Sequence, residues 1–286
     1  MSSLNLSPTS TLIISTYNWP EALSLSLKSV LDQKILPTEV IIADDGSTTE
    51  TKRVVDFFRN KFPIPLKHVW HQDKGFRLAE IRNKAINIAS GEYIIQIDGD
   101  IILHPHFVSD HLRFAKPRSF VRASRIYIDE EQSKHMLNRG NSKINAWSRG
   151  VKNFFSAIRM PFLWRFFENN YKNKGEELYE IHGCNMAFWR KDAFAVNGYN
   201  QEFYGWGPED KEFVARLLNK GLQKRFLKMG AIAFHIYHRE SSRKFLAVNE
   251  KAFKETKEKK YIWCKKGITA TSALERLEES LVLENA

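Results

Sequence analysis

The chain is poor in cysteine: Cys184 and Cys264 are the only two among 286 residues. That excludes a disulfide framework and a cysteine zinc site, and makes a reducing cytoplasm the simplest compartment. Long apolar runs are missing too. Nothing approaches eighteen consecutive apolar residues, so no transmembrane helix is expected, and the opening MSSLNLSPTS lacks the basic and apolar regions of a signal peptide. The expected protein is soluble or peripherally attached. Neither G-x-G-x-x-G in the first βα turn nor G-x-x-x-x-G-K-[ST] anywhere is present, which argues against a dinucleotide dehydrogenase and a P-loop ATPase. A nucleotide held without a glycine cradle needs another clamp for its phosphates.

What is present is a globular composition, 43% hydrophobic, with a formal charge of +11 and a pI near 9.5. Such charge favours phosphate-rich partners: nucleotides, nucleic acid or an anionic membrane surface. Short apolar runs at 11–15, 40–43, 66–70 and 94–97 read as strands, and the stripes Leu23/Leu27/Val30/Leu31, Val54/Val55/Phe58 and Leu78/Ile81/Ala85/Ile88 between them read as helices. This alternation predicts an α/β fold with a parallel sheet covered on both faces, whose ligands collect at the carboxyl ends of the strands. Those ends carry Thr16-Tyr17-Asn18, Asp44-Asp45 and Asp98-Gly99-Asp100.

Asp98 and Asp100, two residues apart in an extended segment, point the same way across a glycine that obstructs nothing. Two such carboxylates repel unless a cation sits between them or a proton is shared, and hard oxygen ligands suit Mg2+ or Mn2+. Asp-Gly is equally ordinary turn chemistry. Further along, 120–128 reads as a strand. Residues 151–167 interleave Phe and Trp with Lys and Arg, fitting a helix on an anionic membrane, a lid over an acceptor, or a core helix with a basic wet side.

Residues 181–190 read as a strand kept small by Gly183 and Cys184, as a close ligand requires. Tyr204-Gly205-Trp206-Gly207-Pro208-Glu209-Asp210 opens a helix whose dipole favours ionised acids near neutrality; an ionised carboxylate in a cleft can serve as a base. Trp206 between glycines suits the apolar face of a sugar ring. The strand 231–238 carries His235 and His238, for which metal ligation and a structural role are both open. A mixed-charge helical tail from residue 250, with Ser272–Glu275 as a capping box, shows no chemistry.

Together these residues resemble glycosyltransferase family 2 enzymes, with a galactosyltransferase-type C-terminal segment. The resemblance runs through Ile14–Asn18, Ala43–Ser47, Gly75–Asn83, Asp98–Asp100, Gly183–Met186, Gly205–Asp210 and the histidine strand, over about residues 11–245. It implies a GT-A fold: a Rossmann-like, mostly parallel central sheet with helices on both faces, plus a C-terminal helical extension. The implied divisions are a disordered lead-in (1–10), a nucleotide-sugar half (11–103), an acceptor half (104–245) with a basic aromatic insertion at 135–175, and a helical tail (246–286). Thr16, Tyr17, Asn18, Asp45, Arg77, Arg82, Asn83, Asp98 and Gly99 would serve the nucleotide. Asp100 and Asp98, with His235 or His238, would hold Mn2+ or Mg2+. Asp210 would be the base beside Glu209, with Trp206, Gly183 and Asn185 at the sugars. The donor would be a UDP-sugar and the acceptor a glycan or lipid-linked glycan, with no nucleic acid partner and a cytoplasmic, peripheral location. A nucleic-acid-binding module, or a sugar- or membrane-binding adaptor on the same scaffold, are the competing readings.

Overall fold

The computed structural model describes residues 7–168, 171–239 and 244–270. In chain order the first half runs β1 (Ser10–Thr16), α1 (Pro20–Leu31), β2 (Glu39–Asp44), α2 (Thr49–Arg59), β3 (Leu66–Trp70), α3 (Leu78–Ile88) and β4 (Tyr93–Asp98). These are the expected four parallel strands, lying side by side as β3-β2-β1-β4. Strand alternation divides the core. Leu12, Ile14, Ile95 and Ile97 face α1 and α2, while Ile13, Ile41 and Ile94 face α3 on the other side.

The second half adds β5 (Ile101–Leu103), α4 (Phe107–Phe114), β6 (Ser119–Ala123), β7 (Arg125–Tyr127), α5 (Glu130–Arg139), α6 (Trp164–Phe167), β8 (Asn185–Trp189), α7 (Arg190–Phe194), α8 (Glu209–Asn219), β9 (Gln223–Leu227), β10 (Ala233–His235) and α9 (Leu246–Glu258). Strand β8 joins β4 antiparallel and extends the sheet through β6 to β9, seven strands in all. A second sheet, β5-β10-β7, packs Ile102, Ile126 and Phe234 over Ala22 and Leu25 of α1.

Several expectations need correction. The extended segment expected to carry both Asp98 and Asp100 is instead two strands in different sheets, β4 and β5, broken at the Gly99-Asp100 turn, and 120–128 divides likewise at Ser124. The basic aromatic stretch is no single helix: Phe154–Ala157 and Pro161–Leu163 are 3-10 turns, followed by the one-turn α6. Ser10, placed in the lead-in, is buried in β1, pairing with Tyr93. Asn18, expected at the nucleotide, has φ 45° and accepts from Thr48 N–H at 2.9 Å, pinning the β1 exit to the β2 exit. The capping box at 272–275 lies outside the described residues.

One buried acid ties β2 to its neighbours. Glu39 is 2% exposed and accepts from Thr11 Oγ1 at 2.7 Å and Ser90 N–H at 2.6 Å, with Lys67 Nζ at 2.6 Å. Burial pushes its pKa up, but the Lys67 ammonium and the N–H and O–H donors outweigh it and hold the carboxyl at about 2. A depressed folded pKa contributes stability above the unfolded value, lost as pH falls from about 4.5 through about 2. Glu39→Gln should therefore cost roughly 2–3 kcal/mol at neutral pH and flatten the acid limb of a thermal-melt series. An unchanged melting temperature at pH 7 would contradict this.

Candidate active site

The carboxyl ends of β1, β2 and β4, the start of α8 and the end of β10 enclose a cleft of about 660 Å3. Arg82 organises its floor. This α3 side chain is fully buried, yet its guanidinium reaches Asp210 Oδ1 at 2.7 Å, Asp98 Oδ1 at 3.1 Å, Glu209 Oε1 at 3.2 Å and Ser15 Oγ at 3.2 Å. One cation thereby gathers three acids from two distant stretches of chain. Burial works against its charge, but the surrounding acids keep its pKa above the ordinary arginine value.

The acids do not share one state. Burial, then the charge of Asp210, pushes Glu209 up to about 8, so it is protonated at neutral pH. This shift runs against the expected pull of the helix dipole toward the ionised form: at the first residue of α8 the loss of water outweighs it. Burial also lifts Asp98 to about 6, against the pull of Arg82.

Asp98 and Asp100 part rather than converge. Asp98 closes β4 and turns to Arg82, whereas Asp100, in the turn, faces His238 Nε2 at 3.2 Å and His235 Nε2 at 3.5 Å. The second sheet makes this possible, because β5 and β10 pair Ile101 with His235 and Ile236 N–H donates to the Asp100 carbonyl. Potential ligand atoms of Asp100, His235 and His238 all lie within 4.8 Å of one another. Asp98, expected beside Asp100 as a ligand, is outside this group.

The donor set fits a divalent cation. Asp100 Oδ1 is buried with no hydrogen-bond partner. His238 Nδ1 donates to the Arg239 carbonyl at 2.8 Å, a contact that orients Nε2 as the ligating atom. Burial raises the Asp100 pKa, but the two imidazoles more than offset it and hold the group low. The hydrogen bond to Asp100 carries His238 up to about 9, while burial lowers His235. Such a field favours positive charge at this spot, and carboxylate with imidazole suits Mn2+ or Mg2+.

Other expected residues separate into two groups. Thr16, Tyr17, Asp45, Gly99, Gly183 and Trp206 line the cleft. Asp45 is fixed by His71 Nε2 at 2.7 Å and the Arg77 N–H at 2.9 Å, and Tyr17 donates to Asp73 at 2.9 Å. Gly99 packs on the end of β1, its N–H donating to the Ser15 carbonyl at 2.7 Å. Four residues expected at the ligands are instead structural. Asn83 exchanges hydrogen bonds with the Tyr199 backbone, and Asn185 donates to the Ser124 and Ala231 carbonyls while meeting His111. Both are fully buried. Arg77 is held by Glu80 and the Gln72 carbonyl, and Asn18 by the turn described above.

Gly183 earns its place by contact. A Cβ built there would lie 2.0 Å from Asp210 Oδ2. The Gly183 carbonyl is clamped by Gln96 Nε2 at 3.0 Å, itself bonded to the Tyr199 hydroxyl at 2.9 Å. Gly183→Ala must push Asp210 aside, so turnover should fall about 100-fold while the fold persists. Steady-state kinetics with a circular-dichroism melt tests this; full activity would contradict it.

Sequence reasoning missed Trp19, His71, Arg125 and α9. His71 and Trp19 lie outside the helices and strands, where no periodicity marks them. Helix α9, assigned no chemistry, carries Asn249, whose amide donates to the Tyr204 carbonyl at 3.0 Å and props the Trp206 loop; Leu246 and Glu250 line the cleft. Its amphipathic pattern gave no signal of this.

Comparison with known proteins agrees with this architecture. The model of glycosyl transferase family 2 matches residues 11–194, and that described as the N-terminal domain of galactosyltransferase matches 165–239. The chain is 30% identical over 240 residues to the chondroitin synthase of Escherichia coli, covering 78% of this chain and 34% of that protein. It is 27% identical to the validoxylamine A glucosyltransferase of Streptomyces hygroscopicus subsp. limoneus, covering 75% and 49%. The chain thus spans about a third to a half of these relatives. Among solved structures, the mannosyltransferase PcManGT of Pyrobaculum calidifontis, in complex with GDP-Man and Mn2+, superposes with a TM-score of 0.58 at 17% identity, covering 82% of this chain and 59% of that one. TarS of S. aureus with UDP-GlcNAc gives 0.57 at 17%, covering 81% and 59%. These likenesses establish the GT-A fold. With the family model covering most of the α/β domain, the chain belongs to glycosyltransferase family 2.

Proposed function

We propose that the protein transfers one hexose, galactose, glucose or an N-acetylhexosamine, from a UDP-sugar to a hydroxyl of a glycan or lipid-linked glycan, with inversion. The carrying observation is that Asp100, His235 and His238 face the same cleft as Asp98, Glu209 and Asp210. Thr16, Tyr17 and Asp45 take the nucleoside end. Asp100, His235 and His238 would hold Mn2+ or Mg2+, which when bound supplies positive charge to the departing diphosphate. Asp210 takes the proton as the acceptor oxygen attacks the anomeric carbon. The new C–O bond forms as the bond to phosphate breaks, its electron pair leaving on UDP. Arg82 holds Asp210 by one oxygen, and protonated Glu209 is available as a hydrogen-bond donor to a sugar oxygen.

Relatives such as the chondroitin synthase of E. coli support a role in bacterial surface polysaccharide, capsular or lipopolysaccharide, synthesis. The test is release of UDP from a panel of UDP-sugars with Mn2+ or Mg2+. The account expects slow metal-dependent release even to water, whereas an adaptor on the same scaffold releases none.

A peripheral membrane site rests on a separate observation. Trp147, Phe155, Phe162 and Phe166 are 81, 76, 79 and 75% exposed, interleaved with Arg149, Lys152 and Arg165. No helix among the described residues is long and apolar enough to cross a membrane. Co-sedimentation with anionic vesicles is expected, and sedimentation unchanged by vesicles would dismiss this contact.

A further inference from the structure

The cleft is not electrically uniform. Where residues 180–184 line it, His182 is surrounded by Arg122, Arg125, Lys172 and Lys211, and burial together with these cations holds its imidazole down to about 3. A neutral His182 accepts at Nε2 from Arg122 Nη2, 3.0 Å away, leaving its Nδ1–H as a donor on a cleft-lining residue. Lys211 is matched by Glu180 at 2.5 Å and Lys172 faces Glu177 at 4.0 Å. Neither Arg122 nor Arg125 makes a direct ion pair among the described residues, though Glu180 and Glu177 act on Arg122 and Asp98 on Arg125 from further off; the Nε of each is buried without a hydrogen bond.

Arg125 lines the cleft directly. Its hydrogen-bond partners are neutral: the Cys184 thiol, 3.7 Å from Nη1 and pushed by burial to about 12, and the Tyr127 hydroxyl. Burial works against the charge of Arg125 and its surroundings, Asp98 included, offset that; yet with only a thiol and a phenol as hydrogen-bond partners, the guanidinium keeps donors that an anion in the cleft can take. The donor diphosphate would take its countercharge from the cation that Asp100, His235 and His238 would hold. Arg125 lies instead beside Cys184, one residue from Gly183, against which Asp210 packs. An acceptor hydroxyl that reaches Asp210 beside Gly183 therefore comes into this neighbourhood.

We infer that this end of the cleft is an anion subsite, in which Arg125, with His182 backed by Arg122, receives a carboxylate or phosphate carried by the acceptor next to the hydroxyl that reacts. The inference rests on the transferase reading and deepens it: the acceptor is an acidic sugar or a sugar phosphate rather than a neutral glycan.

The experiment uses the full chain saturated with Mn2+ and UDP, and measures binding of methyl β-glucuronoside, glucose 1-phosphate and methyl β-glucoside by calorimetry or ligand-observed NMR. One or both anionic probes should bind at least about tenfold more tightly than the neutral glucoside. Their order identifies the anion as carboxylate or phosphate. Arg125→Gln should erase the preference and leave affinity for UDP with Mn2+ within about twofold; Arg125→Lys should retain part of it. Equal binding, or none, of charged and neutral probes by the native chain overturns the inference, even should the variants not fold. It is also overturned if Arg125→Gln weakens UDP and spares the glucuronoside, for Arg125 would then serve the donor. A native chain that binds no UDP with Mn2+ counts against the transferase reading itself.

Discussion

Asp210→Asn should lower turnover by about 10²–10⁴-fold while metal-dependent UDP binding survives. The asparagine keeps the shape of the side chain and can still accept from Arg82, so the floor of the cleft stays assembled; what disappears is the capacity to take a proton. Glu209→Gln is the control. Glu209 is already protonated at neutral pH, so a neutral amide of the same size should cost far less. Comparable turnover in Asp210→Asn and the native chain would remove Asp210 from the reaction, and a larger loss in Glu209→Gln would exchange the two roles.

Arg82→Met should be the most damaging single change. It removes the one guanidinium that touches Asp98, Glu209 and Asp210 and leaves their carboxyl groups facing one another in a largely enclosed space. Breaking a buried ion pair by deleting one partner typically costs about 3–5 kcal/mol. Here the loss should lower the denaturant midpoint and abolish transfer together. Arg82→Lys should recover little, since an ammonium cannot span three acceptors in the fork geometry of arginine. Native-like stability in Arg82→Met would show that the acids do not depend on it.

The nucleotide half was legible because its signals are local. Strand and helix periodicities in residues 11–97 marked the four parallel strands and three helices, though not the order β3-β2-β1-β4, and the acids at the strand ends fell at the cleft as the general rule for open parallel sheets requires. What was illegible depends on contacts between distant residues. Arg82 and Asp210 are 128 residues apart, and no pattern around either one records that they meet. Asp98 and Asp100 were placed on one ligand because extended backbone puts residues i and i+2 together; the chain instead turns at Gly99 and sends Asp100 to a second sheet. Asn83 and Asn185 stand within motifs that surround ligands, yet each is consumed by backbone groups that burial would otherwise leave unpaired. Resemblance transfers a motif's position, not the hydrogen bonds of each member.

The central claim is that one divalent cation sits on Asp100, His235 and His238 and joins the donor diphosphate to this cleft. Crystals grown with Mn2+ and UDP, with diffraction recorded on both sides of the manganese absorption edge, test it most directly. The account predicts one anomalous peak within ligating distance of all three side chains and of the diphosphate oxygens, absent in Asp100→Ala. UDP bound with no peak there, or a peak remote from these three residues, would contradict it.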